Sequence, residues 1–220
     1  MSVPSSLRGR LRRAALHDDD AERVLLLAAV VSDALRHRGL HPVLVGGAAV
    51  EIFTRAAYTT KDLDFVVDSG RSSEAAMQEL GFERRGRVWF EPELEIVVEF
   101  PSGVLAPAAS SKIEVEGSQV EVIAIEDLIV DRLAAWKYWK WHPDGAAAAL
   151  LLVLHGDGLD CERLHARATE EDVSDALSAI RRLLETTAEP HLNEEVLSRA
   201  HQSLAAVQSP GSHGPGSAGA

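Results

Sequence analysis

Two aspartates two residues apart, Asp62 and Asp64, interrupt an apolar run whose other members are Leu63, Phe65, Val66 and Val67. In an extended strand alternate side chains share one face, so the two carboxylates project together. Held side by side they repel each other unless a cation sits between them. Mg²⁺ is the obvious candidate, a hard ion that takes oxygen ligands and is often shared with substrate phosphates. Upstream, the apolar run Val43-Leu44-Val45 ends in Gly46-Gly47. Glycine removes the Cβ where a chain must pass close to a ligand, and a helix opening there offers free N–H groups to an anion. A phosphate cradle followed by paired metal ligands reads as phosphoryl or nucleotidyl chemistry.

Regular elements must hold these residues. His41 to Val45 reads as a strand, and Ala48 to Arg55 as a helix burying Ala49, Ile52 and Phe53 with Glu51 on its solvent side. Tyr58, Thr59 and Thr60 lead into the second strand, where Leu63, Phe65 and Val67 face the core and Lys61 points away from the aspartates. Ahead of this unit, residues 1–17 form a basic arm with Arg8, Arg10, Arg12 and Arg13, either frayed or contacting a polyanion. Asp18-Asp19-Asp20 then starts a helix. Its apolar positions Leu25, Leu26, Ala29, Val30, Ala34 and Leu35 fall at helical spacing, and Gly39 stops it.

Downstream, Arg71 to Leu80 reads as a helix closed by Gly81. Phe82 to Phe90 and Leu94 to Phe100 read as an antiparallel pair across Glu91-Pro92-Glu93. In the second of these strands Glu95, Val97 and Glu99 share a face. After a loop over Ser102 to Ser111, Lys112 to Val115 and Gln119 to Ile123 form a hairpin. From Glu126 the chain reads as helices, with Leu128, Ile129, Leu133 and Trp136 as a buried stripe. The run Trp136-Lys137-Tyr138-Trp139-Lys140-Trp141 has two readings. One is an aromatic lock. The other sets Lys137 or Lys140 over a triphosphate and a ring against a base. His142-Pro143-Asp144-Gly145 breaks the helix, and Ala146 to Leu154 forms an apolar one. Residues 159–186 and 193–207 fit two amphipathic helices, and residues 208–220 are too poor in apolar surface to fold. The expected division is 1–17 arm, 18–125 α/β domain, 126–207 helical region and 208–220 tail.

The order strand, Gly46-Gly47, helix, then the strand of Thr60-Lys61-Asp62-Leu63-Asp64 resembles the signature of the nucleotidyltransferase superfamily that includes DNA polymerase β. The likeness runs over about residues 40–155 and is best to small prokaryotic members, some of them toxin–antitoxin components. Fourteen residues separate Gly47 from Asp62, more than in the most compact members. The resemblance implies an α/β (α+β) fold, a mixed, largely antiparallel sheet flanked by helices with a helical C-terminal part. It implies two Mg²⁺ ions, with Mn²⁺ as a substitute, on Asp62, Asp64 and a third carboxylate from a neighbouring strand. Glu99 is the choice for that third ligand and Glu95 the fallback. Gly46, Gly47 and Thr60 would meet the nucleotide, with Lys137 and Lys140 as phosphate contacts. The implied reaction moves a nucleoside monophosphate from an NTP to a hydroxyl of a protein, RNA or small molecule. The alternative is a fold that has lost catalysis and serves as a binding or antitoxin-like partner, alone or as a homo-oligomer.

Composition narrows the setting. The net charge of -12 argues against a broad nucleic-acid surface. A single cysteine, Cys161, excludes an internal disulfide and a cysteine-rich zinc site, and fits a reducing compartment. The longest apolar runs fall short of the ~18 residues of a membrane span, and the expectation is a cytoplasmic protein with no membrane partner.

Overall fold

The computed structural model describes residues 5–58, 60, 62–67, 70–101 and 110–186. The expected residues 193–207 helix, the residues 208–220 tail and the placement of Lys61 lie outside them. The chain divides into two compact units, Met1–Ile129 with Leu150–Leu159, and Val130–Ala149 with Asp160–Ala220. Both units are discontinuous in sequence, the first taking up a segment that follows part of the second.

The first unit is built on one seven-stranded mixed sheet. Its strands are β1 (Val43–Val45), β2 (Asp62–Val66), β3 (Glu83–Arg85), β4 (Val88–Glu91), β5 (Ile96–Glu99), β6 (Ser110–Val115) and β7 (Ser118–Ile123), in the order β3-β4-β5-β2-β1-β7-β6. Only β1–β7 and β2–β5 pair in parallel; the other four pairings are antiparallel. Period-two alternation sorts the side chains. Leu44, Leu63, Phe65, Val98, Val120 and Val122 are buried on one side, which leaves Asp62 and Asp64 on the other.

Helices α1 (Ser5–Ala15), α2 (Asp20–Arg36), α3 (Gly46–Thr54) and α4 (Arg71–Leu80) belong to this unit. α2 packs against β7, α1, α3 and α4. It starts where the acidic triplet predicts: Asp19 accepts the Glu22 N–H at 2.8 Å, satisfying one of the orphan donors of the first turn. Its Ala28, Ala29, Val31, Ala34 and Leu35 are fully buried. Gly81, at φ +103, closes α4 in the left-handed conformation that side chains resist.

The basic N-terminal stretch is not an arm. Leu7, Leu11 and Ala14 sit one helical turn apart and are buried in α1, which packs on α2 and α4. Its cations serve the fold. Arg10 donates to Asp33 at 2.8 Å and to Ser118 at 2.7 Å, and Ser118 donates to Asp33 at 2.6 Å. Arg8 donates to the Glu79 carbonyl at 2.6 Å, and Arg12 pairs with Glu93 at 2.8 Å. The expected strand over Phe82 to Phe90 is two strands, because Gly86 at φ +64 turns the chain between β3 and β4. β6 and β7 join through Glu116 and Gly117, both at positive φ, the two-residue turn whose twist matches a hairpin.

In the second unit lie most of α5 (Ile125–Trp139), the first part of α6 (His142–His155), α7 (Cys161–Glu170) and α8 (Ser174–Thr186). α6 starts at His142 instead of Ala146; Pro143 stands in its first turn, where a missing N–H costs nothing. The stretch 159–186 is two helices, turning at Asp172 (φ +54). Of the expected aromatic lock only Trp136 is buried; Trp139 and Trp141 are exposed. Gly145 lies against Trp136, whose indole a Cβ would approach within 2.9 Å.

If α1 is an integral layer of this unit, Leu11→Ala will cost about 2–5 kcal/mol in urea denaturation, the range for truncating a buried leucine. A loosely attached arm would give a change within about 0.5 kcal/mol.

Candidate functional site

Strand register assembles the acids. β1 runs antiparallel to β2 with Val45 opposite Asp64. β2 runs parallel to β5 with Asp62 opposite Val97 and Asp64 opposite Glu99. Asp64 and Glu99 are therefore neighbours on one face, on strands about 4.8 Å apart. Asp62 stands one pleat along the same face and is exposed. Glu95 lies before β5, in a turn at φ +55, so the strand itself offers Glu99 next to Asp64. Arg87 approaches Glu99 at 3.9 Å from an exposed position, a weak contact. Among the described residues no three histidine, cysteine or carboxylate side chains lie close enough together to hold a metal ion.

The glycine turn fits closely against this row. Gly46 has φ +66, and a Cβ built on it would lie 2.1 Å from Asp64 Oδ2. A side chain at Gly46 is excluded twice, by backbone conformation and by the carboxylate above it. α3 begins at Gly46 without a side-chain cap, so an acid lies at the open end of the helix, where the dipole favours negative charge. At Gly47 a Cβ would meet Thr60, with Oγ1 at 3.0 Å and Cβ at 3.1 Å. Gly46, Gly47, Thr60, Asp62, Asp64 and Glu99 thus belong to one neighbourhood of the first unit. A pocket of about 220 Å³ adjoins it, lined in part by Arg23, Thr60, Asp62, Leu63 and Glu95.

Lys137 and Lys140 belong to the second unit. Lys137 is buried and donates to Asp175 at 3.0 Å and to the carboxylate and carbonyl of Asp172. Burial works against its charge, but the Asp175 hydrogen bond and charge, with Asp172, raise its pKa overall. Its ammonium is engaged within its own unit. Lys140 is exposed at the end of α5 and has φ +58.

Sequence reasoning missed Glu51. Instead of facing solvent it is fully buried, and its Oε2 accepts the Thr60 N–H at 2.7 Å. Its other oxygen, Oε1, is buried with no partner. The inward face of α3 carries Ala48, Ala49, Val50, Glu51 and Thr54, while Ile52 and Phe53 are only half-buried. The signal was the four-residue spacing from Gly47, which puts Glu51 on the helix face that meets Thr60. Burial raises the Glu51 pKa above 4.5; the Thr60 N–H and the charge of Arg23 pull it down, and Asp20 pushes it up again.

Two expectations follow. Gly46→Ala will destabilise the protein by more than about 1 kcal/mol, the left-handed penalty alone, whereas Gly9→Ala in the exposed interior of α1 will stabilise it by about 0.5–1 kcal/mol; paired urea denaturation curves read both. The second concerns pH. A carboxyl with a raised folded pKa contributes stability that is fully present below its unfolded value and lost as pH rises through the folded one. Relative to Glu51→Gln, the wild type will therefore lose stability as pH climbs from 4.5, by at most about 1.4 kcal/mol per pH unit. Denaturation at a series of pH values measures the difference.

No family model matches the sequence, and no curated protein matches it. Among solved structures, the chain is similar to an antigenic nucleotidyltransferase-like protein from Paracoccidioides brasiliensis, with a TM-score of 0.52 and 14% identity, over 74% of this chain and 94% of that one. No helix among the described residues is long and apolar enough to cross a membrane. At that identity the likeness is one of fold, and the fold is nucleotidyltransferase-like.

Proposed function

We propose that the chain is a metal-dependent nucleotidyltransferase that moves a nucleoside monophosphate from an NTP to a hydroxyl acceptor. The observation that carries this reading is the position of Asp64, in register with Glu99 on one side and lying over Gly46 on the other. The donor set suits a hard divalent cation: Asp62 and Asp64 would hold it, with Glu99 as the third oxygen ligand. Three gathered carboxylates are not required, since Mg²⁺ is usually bound by one or two of them together with waters and substrate phosphates. When bound, such ions lower the pKa of an acceptor hydroxyl and neutralise the departing phosphates.

The chain's own groups supply the rest. The uncapped start of α3 would offer its first N–H groups to a phosphate once the Asp64 carboxylate turns from Gly46 toward a cation, and Gly46 and Gly47 add no Cβ of their own there. Thr60 stands against Gly47 and borders the pocket beside Asp62, a place for part of the nucleotide or of the acceptor. The acceptor oxygen would bond to the α-phosphorus, the α–β bridging bond would break, and pyrophosphate and the hydroxyl proton would leave. Positioning and charge neutralisation carry most of such a transfer. The toxin–antitoxin setting draws support from the likeness of the glycine and Asp-x-Asp segments to small prokaryotic members, and the acceptor hydroxyl would belong to a protein, an RNA or a small molecule. Lone Cys161 fits a reducing cytoplasm.

A second reading, a catalytically silent binding protein, draws on the ungathered carboxylates and on the Asp64 carboxylate lying over the bend a phosphate would use. Titration of each NTP with Mg²⁺ into wild type and the Asp62→Asn/Asp64→Asn double variant separates the two. Metal-dependent binding that the double variant lacks supports the enzyme, and incubation with labelled NTPs and a cell lysate would then reveal the labelled acceptor. Equal or absent binding in both proteins favours the scaffold.

A further inference from the structure

We infer that Glu51 is a positioning residue that, from inside α3, holds the Thr60 main chain and through it the entry of β2, at the spacing from the glycine turn that Asp62 and Asp64 need. Gly47 and Glu51 lie four residues apart on one helix face, and both meet Thr60. Gly47 admits the Thr60 side chain; Glu51 accepts its N–H at 2.7 Å. The Thr60 hydroxyl in turn lies 3.4 Å from the Asp62 N–H. Thr60 precedes the strand, so its N–H has no ladder partner and needs an acceptor from elsewhere. Glu51 is that acceptor.

Packing alone does not account for a glutamate here. The side chain is 0% exposed, and Oε1 is buried with no partner. Leaving a buried carboxylate oxygen unpaired works against folding; methionine would fill a similar volume without that penalty, leaving the half-buried Thr60 N–H to water. A residue kept in a form that costs stability points to a task besides filling space. Burial also fixes the carboxylate: locked between helix and loop, it sets where the Thr60 backbone lies, as an outer partner orients a metal-binding group.

The test compares wild type, Glu51→Gln and Glu51→Met by two readouts, and rests in its second part on the metal-dependent reading above. The first readout is amide hydrogen exchange at Thr60 and Asp62, alongside global stability. Glu51→Met should speed exchange at both amides by about tenfold or more without lowering global stability, while Glu51→Gln, which keeps an acceptor oxygen, stays within about threefold of wild type. The second is Mn²⁺ affinity by direct titration, with Asp64→Asn as the control. Glu51→Met should weaken binding by about tenfold and Glu51→Gln should largely restore it. Unchanged Thr60 exchange in Glu51→Met overturns the inference, as does faster exchange with undiminished Mn²⁺ affinity. If wild type and Asp64→Asn take up Mn²⁺ equally, the metal-dependent reading fails, and the exchange readout alone decides for or against Glu51 as the anchor of the β2 entry.

Discussion

The close approach of the Asp64 carboxylate to the backbone of Gly46 is the constraint on which the rest of the first unit turns. It requires β1 and β2 to pair with Val45 opposite Asp64, and it requires the chain to leave β1 through a residue with no side chain. A shift of one residue in the pairing would send Asp64 into the face that holds Leu63 and Phe65 and bring those apolar groups to the surface. Register, turn conformation and core burial therefore support one another. The parallel pairing of β2 with β5 extends the row to Glu99. Two strands distant in sequence, β2 and β5, thus place negative charge beside the uncapped helix start that β1 leads into.

The charge of the molecule is spent unevenly. The net balance is strongly acidic, yet the basic residues near the N-terminus are drawn into internal work. Arg10 ties α1 to Asp33 on α2 and Ser118 on β7, and Arg8 reaches the end of α4. Arg38 pairs with Glu79, and Arg36 donates to the Gln119 carbonyl. Lys137 and Arg132 are similarly engaged in the second unit, with Asp175 and Asp144. Apart from the exposed Arg8, these pairs satisfy cations that are partly withdrawn from water, where an unpaired charge would be costly.

Much of this was legible in the residues and some was not. The alternation of Asp62, Leu63, Asp64 and Phe65 announced both the strand and its two faces, and the glycine pair announced the tight exit from β1. Asp19 marked the start of α2 because capping chemistry is local. Glu51 was hidden because helical periodicity over nine residues leaves the buried arc uncertain, and a carboxylate argues for solvent unless its partner is known. That partner is a backbone N–H, which no residue type reveals. Arg8, Arg10 and Arg12 concealed the apolar stripe of α1, whose Leu7, Leu11 and Ala14 carry the burial. Gly86 lies inside a stretch whose pattern reads as one strand, and its positive φ makes it the turn between two.

The ends of the sheet carry one more consequence. β3 is three residues long, Glu83-Arg84-Arg85, and all three are exposed. At the opposite border β6 bears Lys112 and Glu114, with its outward positions open to solvent. The shortness of β3 and the charged side chains on both borders discourage another strand from zipping on through backbone hydrogen bonds. Any companion of this unit must then recognise it through side chains and surface shape, and continuous sheets shared between copies are disfavoured from both flanks.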